Sequence, residues 1–427
     1  MNVSDSEIVT AILKGEGYVP VKKPEEADLV LVNTCSIREN AEQRVRKRLS
    51  QFHALRKKNK QVMVGLLGCM AEQIKTRLFD EESVIDLIAG PDAYRDLPSL
   101  IRLAGTGQKS VNVLLSAEET YGDIAPVRMD ENGVSAFISI MRGCENFCSY
   151  CVVPNTRGKE RSRDTQSILR EAGELVSKGY KEVTLLGQNV NSYRWITGET
   201  ALTFAALVKQ VASVSPLLRV RFATSHPKDI SDELLHVIAS HENICKAIHL
   251  PVQSGSNAVL KKMNRKYTRE QYMERLDAIR RIIPGCAIST DIITGFCGET
   301  ENDHRETLTL MQEAAFDAAY MFAYSERPGT AAAKRFEDDI PAKVKQRRLN
   351  EIIERERELS LRSNLKEVGT VVQVLTESFS KRSKQYLAGR SSQNKVVVFP
   401  AYGHTFGDIV RVRITSCTAA TLIGEQA

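Results

Sequence analysis

The sequence predicts an α/β protein in three parts: a small parallel α/β domain, a partial (β/α)6 barrel and a small C-terminal β-barrel. Three observations carry that expectation. From Ala27 to about Gly105 short β-rich runs alternate with charged helical stretches, and the same alternation occurs six times between Ser135 and about Ser325; such alternation builds parallel sheets. Six units are too few for a closed eight-unit barrel, which takes about 250 residues. Beyond residue 365 the helical period is lost and short strands follow one another across turns, as in small β-barrels.

The bulk properties agree with this division. At 427 residues with 42% hydrophobic content, the chain has apolar material for two or three cores. A formal charge of +6 permits a polyanionic partner without demanding one. Nine cysteines at irregular spacing do not form the dense framework of a small secreted domain, and they fit a reducing cytosol. The start, MNVSDSEIVT, has acidic residues and no apolar run. No stretch of roughly 18 apolar residues occurs either, so the chain reads as soluble, cytoplasmic and without a membrane partner.

In order, residues 1–105 form the first domain, with strands in ADLVLVNTC, QVMVGLLGC and SVIDLIAG and a helix in ENAEQRVRKRLSQFHALRKK. Residues 106–133 (GQKS, YGDIAP, DENG) collect turn formers and read as a linker. Residues 134–364 hold six strand candidates, AFISIM, KEVTLLG, LRVRFAT, KAIHLPV, CAISTDIITG and AYMFAYS. A charged surface helix begins at Pro341, which suits a first helical turn. Residues 365–427 supply the strands VGTVVQVLTES, QYLAGR, NKVVVF, DIVRVRIT and ATLIGE, expected as an antiparallel barrel.

The sharpest chemical signal is RGCENFCSYC, which sets Cys144, Cys148 and Cys151 in a CxxxCxxC spacing after the first barrel strand. Three buried thiols are the bland alternative. A zinc site would want a fourth Cys or His, and none stands nearby in sequence. Three cysteines do supply all but one corner of a cubane iron–sulfur cluster, leaving one iron open, where S-adenosylmethionine can chelate and be cleaved to a radical.

With Tyr150, this CxxxCxYC on a six-unit partial barrel resembles the radical S-adenosylmethionine (SAM) superfamily. More narrowly, CSYCVVPNTRGKERSR, LGQNVNSY, RFATSHPKDI, HLPVQSGSNAVLKKMNRKYT, TDIITGFCGET and YSERPGT resemble the bacterial tRNA methylthiotransferases over nearly the whole chain. Cys297 departs from the pattern, standing where that family has proline. The resemblance implies a [4Fe-4S] cluster on Cys144, Cys148 and Cys151 with SAM on its open iron. It also implies Tyr150 near the adenine, and Gln188, Asn189, Gln253 and Asp291 as polar groups around the cofactor. Capping or turn roles are the alternative for each of these four.

Cys35 in LVNTCSIREN and Cys69 in LLGCMAE each end a predicted parallel strand, and such ends share one sheet edge. Alone they read as core or loop cysteines. The resemblance makes them ligands of an auxiliary [4Fe-4S] cluster, whose third cysteine lies in a GCQMN-like sequence in relatives. Because the chain opens with Met1-Asn2, that third ligand is expected upstream. Cys245, Cys286, Cys297 and Cys417 follow no ligand spacing and read as structural. The seven histidines form no paired metal motif.

Residues 366–427 contain eight Lys or Arg and four Asp or Glu, and Lys381, Arg382 and Lys384 precede Tyr386. A basic loop beside an aromatic suits RNA, with a solvated turn as the alternative. The segment resembles the TRAM module, a small β-barrel that grips tRNA. The family then implies methylthiolation at C2 of N6-isopentenyladenosine beside the anticodon. It also implies tRNA (anticodon stem-loop), an electron donor such as flavodoxin or ferredoxin, and a sulfur source as partners. Sister enzymes act on N6-threonylcarbamoyladenosine or on a ribosomal-protein aspartate, and a non-catalytic RNA-binding protein is the rival from another class. LGQNVNSY, HLPVQSGS and the complete cysteine motif favour the first reading.

Overall fold

A computed structural model describes every residue except 36–38, 75–76 and 131, and the side chains of 39–42, 74, 77 and 78 are likewise outside the description. Contacts group the chain into two compact units. The first comprises Met1–Met129, Met141–Arg163 and Arg327–Ala331; the second comprises Asp130–Ile140, Asp164–Glu326 and Ala332–Ala427.

The first unit is built on four parallel strands in sequence order, β1 (Leu29–Thr34), β2 (Met63–Gly68), β3 (Leu87–Ala89) and β4 (Ser110–Asn112). β2 is apolar throughout, MVGLLG, as a central strand covered on both faces must be. One face carries α1 (Asn2–Gly15) and the later helix Leu97–Gly105, which bury Ile8, Val9, Leu97 and Ile101 against Leu67 and Leu87. On the other face, α2 (Glu39–Lys58) turns Val45, Leu49 and Phe52 inward onto Val64, Leu66 and Ile88. Those three recur at helical spacing on one stripe. β4 falls within the stretch expected as linker. At three residues, only one of them buried, it is too short to display a period.

All six expected barrel strands are present in the second unit: β5 (Ser135–Ser139), β6 (Glu182–Leu186), β7 (Arg219–Phe222), β8 (Ala247–His249), β9 (Ala287–Thr294) and β10 (Ala318–Ala323). They are parallel and run in sequence order as two ladders of three. The ladders are joined where Val220 N–H donates to the Asn243 carbonyl (2.8 Å) and Cys245 N–H to the Val220 carbonyl (2.9 Å). Helices follow the strands with polar caps: Ser231, Thr268 and Thr300 each accept from a first-turn amide.

The long charged helix, here α3 (Ala342–Leu365), starts one residue after Pro341, which is its cap. It is not only a surface element. Lys345, Arg348, Ile352 and Leu359 are buried, because Arg348 reaches Glu299 (2.9 Å) and Glu301 (2.7 Å) at the start of the helix Glu301–Ala314. Sequence alone does not separate a charge that snorkels into such a network from one that is solvated.

The C-terminal strands β11 (Val371–Ser380), β12 (Ser383–Ser391), β13 (Val396–Pro400), β14 (Ile409–Cys417) and β15 (Leu422–Gln426) close a barrel in the order β11-β12-β13-β15-β14. Val374, Leu387, Val397, Phe399, Val412 and Ile414 fill it. It departs from the antiparallel expectation at one seam: β13 and β15 are parallel, with Val397 opposite Leu422. Arg219 and Arg221 of β7 tie this barrel to the larger one, donating to the Ser391 carbonyl at 2.9 and 2.7 Å. A cavity of about 580 Å³ lies beside this junction, against the N-terminal ends of β9 and β10.

Candidate active site

Met141–Arg142 pairs antiparallel with Arg161–Ser162, so residues 143–160 leave and return at one point. Gly143 makes that possible. Its φ is +79°, and a Cβ there would stand 1.9 Å from the Lys159 carbonyl oxygen, a position only glycine can occupy. The loop is pinned further by Cys144 N–H to the Gly158 carbonyl (3.2 Å) and Cys151 N–H to the Cys148 carbonyl (3.0 Å). Cys144, Cys148 and Cys151 are all half-buried. Burial, with Glu160 and Cys148 adding to it against hydrogen bonds from Asn146, pushes the Cys144 thiol up to about 11. It therefore keeps its proton until a metal displaces it.

Among the described residues no three His, Cys, Asp or Glu side chains close on a single point as ligands of one metal ion would. A cubane does not require that, since each thiolate takes a different iron. Three sulfur donors on a pinned loop are the right chemistry for such a cluster. Tyr150 lies on the same loop and is half-buried.

Elsewhere in the first unit, Cys35 and Cys69 directly follow the register pair Thr34↔Gly68 of β1 and β2, so the sheet brings them to one edge. Gly68 has φ +90° and a Cβ there would lie 2.6 Å from Asn33 Oδ1, so the chain can turn from β2 straight into the short helix Cys69–Ile74. Cys69 is buried and Cys35 half-buried. Ser36, Ile37 and Arg38 of the NTCSIREN motif lie outside the described residues.

A buried ionic network adjoins Cys69. Arg157, at the end of the short helix Val153–Arg157, donates Nε–H to Cys69 Sγ at 3.3 Å and Nη2 to Asp5 Oδ2 at 2.6 Å. Arg142 Nη1 takes the other Asp5 oxygen at 2.9 Å. Burial works to raise the Asp5 carboxyl, but Arg157 and Arg142 outweigh it and hold the group at about 2. The sequence reading missed this triad. PNTRG stood inside a recognised motif, yet nothing local placed Asp5 of α1 beside it.

In the second unit, Gln188 and Asn189 follow β6, Ser225 and His226 follow β7, and Gln253 follows β8. Backbone bonds knit these C-terminal ends together: Val190 N–H to the Thr224 carbonyl (3.1 Å), Ser225 N–H to the His249 carbonyl (3.2 Å) and Gln253 N–H to the Asp291 carbonyl (2.9 Å). Gln253 is buried at φ +76°, an uncommon conformation for a residue with a side chain.

Both amide atoms of Gln188 and of Asn191 are buried without a partner, as are Asn189 Oδ1, Ser225 Oγ, His226 Nε2 and Gln253 Oε1. Folded proteins leave few such atoms unpaired, and these gather on the strand ends where barrel sites lie. Asn189 also donates to Asp229 (2.7 Å). Asp291 lies within β9 rather than on a loop, with His249 Nε2 3.6 Å from its carboxylate. Burial, with Arg265 and Lys228, pushes His226 down to about 2, so it is neutral. Asn191, Ser225 and His226 had no assigned role in the sequence reading.

Lys381 and Arg382 form a two-residue turn closing the β11–β12 hairpin at Ser380↔Ser383, and Lys384 lies in β12. The expected basic loop is thus a tight hairpin tip. All three side chains are exposed, as are Tyr386 and the edge-to-face pair Phe379–Phe406, with ring centroids 5.0 Å apart.

The radical SAM superfamily matches residues 138–311, the uncharacterized protein family UPF0004 residues 1–90, and the TRAM domain residues 365–426. A tRNA-2-methylthio-N(6)-dimethylallyladenosine synthase of Bacteroides fragilis is 56% identical over 427 residues, all of this chain and 93% of that protein. The synthase of that name from Amoebophilus asiaticus is 54% identical over 437 residues, all of this chain and 90% of the relative. Among solved structures, the radical SAM methyltransferase TsrM of Kitasatospora setae superposes with a TM-score of 0.58 at 16% identity, covering 77% of this chain and 72% of its own; at that identity the likeness is one of fold. With a knotted-off three-cysteine loop, a six-strand parallel barrel and full-length identity above one half to proteins of one name, the chain belongs to the tRNA-2-methylthio-N(6)-dimethylallyladenosine synthase family of the radical SAM superfamily.

Proposed function

We propose that the chain is a radical SAM transferase that converts N6-dimethylallyladenosine (N6-isopentenyladenosine) beside the tRNA anticodon to its 2-methylthio derivative. The observation that carries this reading is the match of the whole chain, all three segments together, to synthases of that activity. A [4Fe-4S] cluster with SAM supplies, when bound, the hydrogen-atom abstraction that an unactivated adenine C2–H needs.

The chain's own residues do the rest. Cys144, Cys148 and Cys151 hold the cluster, and Tyr150 packs against the adenine of SAM. Gln188, Asn189, Gln253 and Asp291 bind the cofactor's polar groups; the unpaired amide atoms of the first three support this. Cys35 and Cys69 would supply two of the ligands of an auxiliary [4Fe-4S] cluster, which would provide the sulfur, its methyl coming from a second SAM, with a separate sulfur source as partner. Lys381, Arg382 and Lys384 neutralise tRNA phosphates of the anticodon stem-loop. The electron comes from a flavodoxin- or ferredoxin-class donor, and the work is done in the cytoplasm. Residues 1–105, 106–133, 134–364 and 365–427 divide as auxiliary-cluster domain, linker, radical barrel and RNA-gripping barrel.

Nucleoside mass spectrometry of tRNA from a strain lacking the gene tests the reading. The 2-methylthio nucleoside should vanish and its N6-dimethylallyl precursor accumulate, with restoration by the wild-type gene and none by Cys144→Ala. Accumulation of N6-threonylcarbamoyladenosine instead would move the assignment to the sister enzyme.

A further inference from the structure

Arg157 is 3% exposed and makes an unusual set of contacts. Its Nε–H points to a thiol sulfur, Cys69 Sγ at 3.3 Å, and its Nη2 is fixed by Asp5 Oδ2 at 2.6 Å. Its Nη1 is buried with no acceptor. A guanidinium buried this deeply normally has its donors satisfied, and a neutral thiol is a weak acceptor. Asp5 in turn is shared with Arg142, so the guanidinium plane is set by a carboxylate that cannot move without breaking two ion pairs. An anionic, iron-bound sulfur at the Cys69 position would be a far stronger acceptor for Nε–H than the neutral thiol.

We infer that Arg157 is a positioning residue for the cluster on Cys35 and Cys69, an inference that rests on the auxiliary-cluster reading above. It donates Nε–H to the Cys69 sulfur, and so draws electron density from the iron–sulfur unit. Hydrogen bonds and positive charge at the sulfurs favour the reduced, more negative state, so Arg157 raises the cluster's reduction potential and holds Cys69 against ligand loss. Because Arg157 ends the helix that starts two residues after Cys151, the segment that carries the radical-cluster ligands also supplies this contact to the auxiliary site. Lysine would keep the charge but not the rigid fork that reaches Asp5 and Cys69 together.

The test isolates the auxiliary cluster in full-length protein carrying Cys144→Ala, Cys148→Ala and Cys151→Ala, reconstituted anaerobically with iron and sulfide. Iron content, the rate of iron loss to a chelator, and the midpoint potential from an EPR-monitored reductive titration are measured with Arg157 intact and in Arg157→Gln and Arg157→Lys. Arg157→Gln should move the potential to more negative values and speed iron loss several-fold, with Arg157→Lys in between. If Arg157→Gln alone fails to fold, the Asp5→Asn/Arg157→Gln pair removes the stranded carboxylate and serves in its place. An unchanged potential and chelation rate would overturn the role of Arg157 while leaving the cluster in place. Absence of any cluster when Arg157 is intact would overturn the auxiliary-cluster reading and this inference with it.

Discussion

Asp5→Asn should destabilise the first unit by about 2 to 5 kcal/mol. The substitution keeps the side-chain shape and removes the one charge that Arg142 and Arg157 share at 2.9 and 2.6 Å. Both guanidiniums are almost wholly buried. The lower bound comes from titration: holding Asp5 at about 2, against 3.8 ordinarily, is worth about 2 kcal/mol at neutral pH. The upper bound is the cost of stripping one partner from a buried ion pair, about 3 to 5 kcal/mol. Since the folded carboxyl is depressed, its contribution is complete above about pH 4 and disappears as pH falls toward 2. A chain of this size will not unfold in one step. Native-state hydrogen exchange therefore gives the cleaner readout, with amides of β2 and β3 as reporters and those of β12 and β14 in the C-terminal barrel as an internal control. Faster exchange by roughly two orders of magnitude in β2 and β3 alone is expected. Equal protection in wild type and variant at pH 7 would refute the claim that this triad holds the unit together.

Replacing Cys144, Cys148 or Cys151 by alanine should abolish reductive cleavage of SAM, read as 5′-deoxyadenosine, while tRNA affinity survives; undiminished 5′-deoxyadenosine from any one variant would exclude the three as cluster ligands. The triple variant Lys381→Ala/Arg382→Ala/Lys384→Ala should weaken tRNA binding and lower the slope of log K against log salt by up to about 3, since each lost phosphate contact removes about one. Identical slopes would remove the hairpin tip from the RNA surface. Gly143→Ala should lower bound iron and SAM cleavage at least tenfold, because its Cβ meets the Lys159 carbonyl at 1.9 Å and overpacking with a positive φ costs about 2 to 4 kcal/mol; normal iron content would show that the loop tolerates opening.

The sequence showed where chemistry sits on the chain far better than what lies beside it. Six barrel strands were legible because each is a short run with β-branched or aromatic residues beside helical stretches, and CxxxCxxC was legible because its three cysteines are close in sequence. β4 and α1 were not. β4 has three residues, and α1 buries Ser4, Asp5 and Glu7 along with Ile8, Val9 and Leu13, which blurs the apolar stripe a reader looks for. Those polar residues are inside because charged partners meet them: Arg128 reaches Glu7 at 2.8 Å, as Arg142 and Arg157 reach Asp5. The two ends of these pairs are more than 120 positions apart in sequence, so no local pattern announces them.

The same limit explains the polar residues of the barrel. Gln188, Asn189 and Gln253 were singled out within motifs, whereas Asn191 and Ser225, in the same stretches LGQNVNSY and RFATSHPKDI and with equally buried, unpaired side-chain atoms, resemble ordinary loop residues until the strand ends are drawn together. Exposure gave the opposite error at the C-terminal barrel. KRSK reads as a mobile basic loop, but the β11–β12 register leaves only Lys381 and Arg382 to turn the chain, so the charges are displayed on a stiff tip. A stiff tip loses less conformational entropy on ordering than a loop would. If the tip contacts tRNA as proposed, it would orient the RNA backbone as well as attract it, and orientation is what an enzyme must have if it is to present one adenine C2–H among many to a radical.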